Sequence, residues 1–108
     1  MTAEEYKESS YSLLLTADGI ENAKRPAYTG ANTDVLHNFK SVAARLKLTP
    51  MEVWSVYFLK HVDAILSAAK DPNIPQAEPL VGRFADAVNY LKLGYALYSE
   101  GQGQEKHE

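Results

Sequence analysis

The stretch TPMEVWSVYFLKHVDAILSAAKDP, residues 49–72, decides the fold. Its first four residues place a cap threonine (Thr49), a first-turn proline (Pro50) and a capping-box glutamate (Glu52) in helical order. Asp71-Pro72 stops the helix, because the residue before a proline is driven out of helical geometry. Between these signals Val53, Trp54, Tyr57, Phe58, Leu59, Val62, Ile65, Leu66 and Ala69 make the helix apolar round most of its circumference. Only an arc holding Lys60, Asp63 and Ser67 is polar. A helix apolar on most sides is expected to be buried on most sides.

Outward from this helix the chain reads as three more. Residues 3–23 carry Leu13, Leu14, Ala17 and Ile20 on one side, with Gly19 weakening the end. Residues 24–32, with Pro26, Gly30 and Asn32, read as a loop. Thr33 is the expected cap of a second helix over 34–46, with Asp34 in its first turn and Val35, Phe39, Val42, Ala43 and Leu46 inward. Residues 71–78 read as a polar loop, and Pro79 opens a fourth helix reaching about residue 99. The expectation is an all-α, four-helix bundle over residues 1–99, with antiparallel neighbours and a disordered tail over 100–108. Two helices this apolar in a chain of 108 residues are expected to need a partner, hence a homo-oligomer.

Composition narrows the function classes. The chain is 45% hydrophobic and 23% charged, with a net charge of -3, which argues against coating of extended nucleic acid. With no cysteine, disulfides and thiolate metal sites are excluded. The acidic start (Met1-Thr-Ala-Glu-Glu) is unlike a secretory signal. No apolar run reaches the roughly 20 residues that span a bilayer. The reading is a soluble, cytoplasmic protein with no membrane partner.

Two base-x-x-acid steps carry the candidate chemistry: Lys60 with Asp63, and Arg83 with Asp86, the second running on to Asn89 and Tyr90. A three-residue step sets both members on one side of a helix. Each pair is either a solvated or register-fixing ion pair or part of a pocket for a small polar ligand. The guanidinium of Arg83 suits a phosphate or carboxylate, Asp86 a sugar hydroxyl or a metal, and Asn89 can donate and accept. Gly82 leaves room for a ligand or another helix. Asn38 and His37 stand near the expected loop, where Lys24, Arg25 and Tyr28 offer cations and an aromatic face. His61 reads as a satisfied core histidine, and no serine–histidine–acid set, phosphate loop or zinc spacing is present.

Residues 25–96 resemble small, largely phage-encoded proteins at the edge of the MazG-like all-α nucleotide pyrophosphohydrolase superfamily. The likeness lies in His37-Asn38-Phe39, in Leu59-Lys60-His61-Val62-Asp63-Ala64-Ile65, and in Glu78-Pro79-Leu80-Val81-Gly82-Arg83-Phe84-Ala85-Asp86-Ala87-Val88-Asn89-Tyr90-Leu91. The superfamily's enzymes hold magnesium with a Glu-x-x-Glu and a Glu-x-x-Asp on neighbouring helices. Laid on this chain, Lys60 and Arg83 replace two of those acids, while Asp63 and Asp86 keep the other two. A magnesium site wants several carboxylate oxygens, so the exchange disfavours metal and adds phosphate-binding groups.

The resemblance therefore implies a phage protein that binds a nucleotide or nucleotide-derived signal, to sequester it or to modulate nucleotide pools in the host cytoplasm. No cofactor is expected in that case. Arg83, Lys60 and Arg25 would hold phosphate, with Asp86, Asp63, Asn89, Tyr90, Asn38 and His37 around the rest. The alternatives are a divergent magnesium-dependent pyrophosphohydrolase with Asp63, Asp86 and Glu78 on the metal, and a protein-interaction module without ligand.

Overall fold

The computed structural model describes residues 1–29 and 33–106, with the side chains of 26–29 and 103–106 outside that description. Four helices form, α1 (Ala3–Thr29), α2 (His37–Leu46), α3 (Pro50–Lys70) and α4 (Leu80–Lys106), with no strand among the described residues. The molecule is an all-α bundle. α4 is its axis, packed against both α3 and α1, while α2 lies mainly on α3.

α3 starts and stops where its local chemistry dictates. The Thr49 hydroxyl accepts from the Glu52 backbone, and the Glu52 carboxylate accepts from the Thr49 backbone. At its far end the Asp71 N–H still reaches the Ser67 carbonyl. The same reciprocal cap opens α1, where Thr2 and Glu5 exchange two bonds of 3.0 and 3.1 Å. The Thr2 backbone N–H, and then its side chain, hold the exposed Glu5 carboxyl below its ordinary value, because a carboxylate that accepts hydrogen bonds favours its charged form.

Three boundaries differ from expectation. α1 continues past residue 23 and through Pro26, so Lys24 and Arg25 sit on a helix rather than on a loop. The proline removes one backbone donor, but Arg25 pairs with Glu21 one turn back and Lys24 with Asp86 on α4. Helical spacing is what makes those contacts. The expected turn at Gly30 and Asn32 lies outside the described residues.

α2 begins at His37, not Asp34, and Leu36 occupies its cap without a side-chain bond. Asp34 instead folds a turn ahead of the helix. One carboxylate oxygen accepts from the Leu36 N–H at 2.9 Å, and the backbone carbonyl accepts from His37 at 3.1 Å. Thr33 is therefore not the cap. At the other end Lys47 takes the left-handed conformation, φ 57°, and the Leu48 N–H closes onto the Ala43 carbonyl. Glycine usually fills such a position.

α4 is helical through Lys106, beyond the expected end near residue 99 and into the segment expected to be a tail. Gly101 and Gly103 lower helix propensity but keep their N–H donors. Glu100 is also tied to Lys40 of α2 at 2.7 Å. Residues 107 and 108, including His107, lie outside the described residues.

The core is small: Leu36, Phe39, Ala43, Val53 and Leu97, flanked by Val42, Trp54, Tyr90 and Leu93. Trp54 ties α3 to α4, donating its indole N–H to the Tyr90 carbonyl at 2.6 Å. Its ring lies over Gly94, where an added Cβ would overlap the indole. The rotation of α4 about its own axis is the main surprise. Its buried positions are Ala85, Asp86, Asn89, Gly94 and Leu97, whereas Val81, Phe84, Leu91, Tyr95 and Tyr98 face outward. On α3, too, Val56, Leu59 and Leu66 are exposed rather than covered. The expectation that both helices are buried on most sides does not hold within one chain.

Candidate functional site

α4 turns its polar stripe inward, where Asn89 bonds to α1 and Asp86 faces Lys24 of α1 and His61 of α3. The Asn89 amide donates to the Ala17 carbonyl at 2.7 Å, a buried bond between α4 and the middle of α1. Its oxygen takes a longer contact, 3.4 Å, from Lys92, whose ammonium also meets Glu21 at 2.8 Å. Glu21 in turn holds Arg25 at 3.3 Å. One face of α1 is thus laced to α4 by alternating charges.

Above this lacing lies a cleft of about 190 Å³ among the four helices. Its walls are Phe39, Tyr57, Tyr90 and Leu93, with Ile20 and Val35 beside them. The aromatic rings are ordered against one another. Phe39 meets Tyr57 edge-on at 6.1 Å and Tyr90 at 6.4 Å, while Tyr57 and Tyr90 lie nearly parallel at 6.5 Å. Glu21, Lys24, Arg25, Asn38, Asp86 and Asn89 complete the lining.

Asp86 is the unusual member. Its side chain is only 8% exposed, yet its nearest charged neighbours are Lys24 at 3.6 Å and His61 Nδ1 at 3.7 Å. Both distances exceed hydrogen-bond length, and no described residue donates a hydrogen bond to the carboxylate. A buried carboxylate without donors is expensive, and this one lines a cavity. Behind it, His61 Nδ1 is also buried without a hydrogen-bond partner, so this histidine is buried as expected but not satisfied. Burial pushes the His61 pKa down. Asp86 opposes the shift, and the positive charges of Arg83, Lys60 and Lys24 add to it. At neutral pH the imidazole is therefore uncharged, and Lys24 is the cation facing Asp86.

The candidate residues divide sharply. Arg25, Asn38, Asp86, Asn89 and Tyr90 line the cleft, joined by Lys24. Lys60 and Asp63 are exposed on α3 and do not line it. Arg83 does not pair with Asp86. Its guanidinium turns back to Glu78 at 3.0 Å, leaving Nε buried without a partner. His37 stands at the start of α2, outside the lining, where its charge helps hold the Asp34 carboxyl below its ordinary value after the larger effect of Lys40. No described residue comes within 4 Å of a Cβ added at Gly82, so no helix of this chain packs closely there, and the glycine is not among the cleft's lining residues. The side chain of Tyr28 lies outside the described residues.

Asp63, Asp86 and Glu78 do not converge. Glu78 is engaged by Arg83 and Asp63 is exposed on α3. Among the described residues no three histidine or acid side chains are grouped as metal ligands. Residues not singled out from sequence complete the site: Glu21, Ile20, Val35, Phe39, Tyr57 and Leu93. Phe39 and Tyr57 were read as core positions, and only the meeting of α2 with α3 turns them into walls. Glu21 carried a readable signal, since it precedes Arg25 by four residues, the spacing of a helical ion pair.

No family model matches the chain, and no match is found among curated proteins or solved structures. No helix of the described residues is long and apolar enough to cross a membrane.

Proposed function

We propose that this protein binds a nucleotide or nucleotide-derived small molecule in the cleft, with the base inside and phosphate at the mouth. The observation that carries the reading is the buried, donor-less carboxylate of Asp86 set among the rings of Phe39, Tyr57 and Tyr90. Flat aromatic faces stack any base, and an acceptor at their edge orients it. At the mouth, Lys24 and Arg25 are each nearly half exposed, which places cations where phosphate would emerge. The phosphate role thus stays with Arg25, and Lys24 takes the place of Lys60 and Arg83.

The resemblance to MazG-like proteins supports the same ligand class. It does not extend to their metal chemistry, because Asp63, Asp86 and Glu78 are not assembled on one site. Holding a ligand without magnesium suits sequestration of a nucleotide signal or adjustment of a nucleotide pool better than turnover. The phage origin and host-cytoplasm setting that the resemblance implies belong to this same proposal.

Two measurements test it. Small molecules released by heating the purified protein and read by mass spectrometry are expected to include a nucleotide. Calorimetry with that nucleotide is expected to show about tenfold weaker binding for Tyr57→Ala, the scale of one lost stacking contact. A comparable loss is expected for Lys24→Ala, shrinking as salt is raised. Nucleotide binding that ignores both substitutions would place the site elsewhere.

A further inference from the structure

We infer that the ring this cleft is built to hold is guanine, paired edge-on with the Asp86 carboxylate. The inference rests on the nucleotide reading above and adds the identity of the base.

The argument is one of complementary edges. A carboxylate offers two acceptor oxygens and no donor. Its best partner is a planar group that presents two adjacent N–H donors, as a guanidinium does in a bidentate pair. Among the common bases only guanine has such an edge, in its ring N1–H and its 2-amino group. Adenine and cytosine set a ring-nitrogen lone pair beside the amine, and uracil and thymine flank one N–H with two carbonyls. Each of these points an acceptor at the carboxylate.

The site around Asp86 makes that difference count. The carboxylate is already withdrawn from water, with Lys24 and His61 standing off at 3.6 and 3.7 Å. Its lone pairs thus await donors that no described residue supplies. The neutral His61 behind it cannot take over the role of a charged partner without first gaining a proton. Sites built to hydrogen-bond a ligand reject analogues lacking the donor far more strongly than apolar pockets reject a missing methylene. The size also fits. About 190 Å³ is below the range of drug-sized pockets, room for one ring system with sugar and phosphate left at the mouth. Asn38, also on the lining, has an amide that can donate to the 6-carbonyl next to N1–H.

The test is calorimetry of the full chain with GMP, IMP, AMP, CMP and UMP. GMP is expected to bind at least tenfold more tightly than AMP, CMP or UMP, with IMP, which keeps N1–H but lacks the 2-amino group, in between. Asp86→Asn, nearly the same shape with one acceptor replaced by a donor, is expected to weaken GMP at least tenfold and to erase the preference. Equal affinity for all five, or preference for another base, would overturn guanine while leaving the nucleotide reading intact. Binding of none would overturn both. Should Asp86→Asn fail to fold by circular dichroism, the ligand series on the unaltered protein still decides.

Discussion

His61 sets how the interior answers to acid. Its imidazole faces Asp86 from α4, with the charges of Arg83, Lys60 and Lys24 around it. Burial depresses its pKa below the ordinary 6.5. The unfolded chain therefore binds a proton that the folded chain resists, so stability rises with pH through this window. It is fully present above about 6.5 and is lost as the pH falls through the depressed value. Urea unfolding at pH 7.5 and 5.5 is expected to show a lower midpoint in acid. His61→Phe, apolar and similar in breadth, should reduce that difference, and an unchanged difference would refute the assignment to His61. Asp34 adds no slope in this range, because its ordinary value of 3.8 and its lowered folded value both lie beneath it. At this scale the sequence was half legible. The spacing of Asp86 and Asn89 marked a stripe that does face the cleft. Equal spacing could not say whom Asp86 meets, because a long arginine reaches either way along a helix, and Arg83 took Glu78 instead.

At the scale of elements, glycine separates two opposite outcomes. Gly94 lies under the Trp54 indole, whose N–H is pinned to the Tyr90 carbonyl and whose ring stacks on Phe58 at 5.1 Å. The indole has no direction in which to yield. Gly94→Ala is therefore expected to destabilise by about 1–3 kcal/mol from overpacking, despite alanine's better helix propensity. Gly19 on α1 has nothing within reach of a Cβ, so Gly19→Ala should stabilise by about 0.5–1 kcal/mol. Chemical unfolding of the two variants checks both signs, and a stabilising Gly94→Ala would show that α3 and α4 do not approach so closely. Local chemistry made α3 legible, since its cap is written in four consecutive residues. The end of α1 was not legible, because Pro26 signals a break, while the helix runs on with Arg25 paired to Glu21 one turn back and Lys24 to Asp86 across on α4. Nor could Leu36 be read as a cap, having no side-chain acceptor to announce it.

At the scale of the whole molecule, the exposed side of α4 follows a rule of its own. Val81, Phe84, Leu91, Tyr95 and Tyr98 are exposed, and the half-buried Val88 falls between them. These six positions step alternately by three and four residues, the seam of a coiled coil. On α3, Val56, Leu59 and Leu66 are exposed as well. Hydropathy alone could not tell this seam from a core face, because both sides of α4 are rich in apolar residues and the buried side contains Asp86 and Asn89. A second copy of the chain is the proposed occupant, since a seam with this repeat can pair with itself about a two-fold axis. A standard stable interface withdraws about 800 Å² per partner, and exposed aromatic side chains are the kind that supply such area. Size-exclusion chromatography with light scattering is expected to give a multiple of the 12.0 kDa chain mass. Replacing Phe84 and Leu91 together by glutamate should return it to one chain with its helicity kept, since neither side chain is buried. A wild-type protein that stays monomeric at tens of micromolar would leave the seam without its proposed partner. The cleft gives an independent check on that geometry. It opens on the side of α4 that carries Asp86 and Asn89, so the double substitution should leave nucleotide affinity within about twofold, as expected for sites without shared partners.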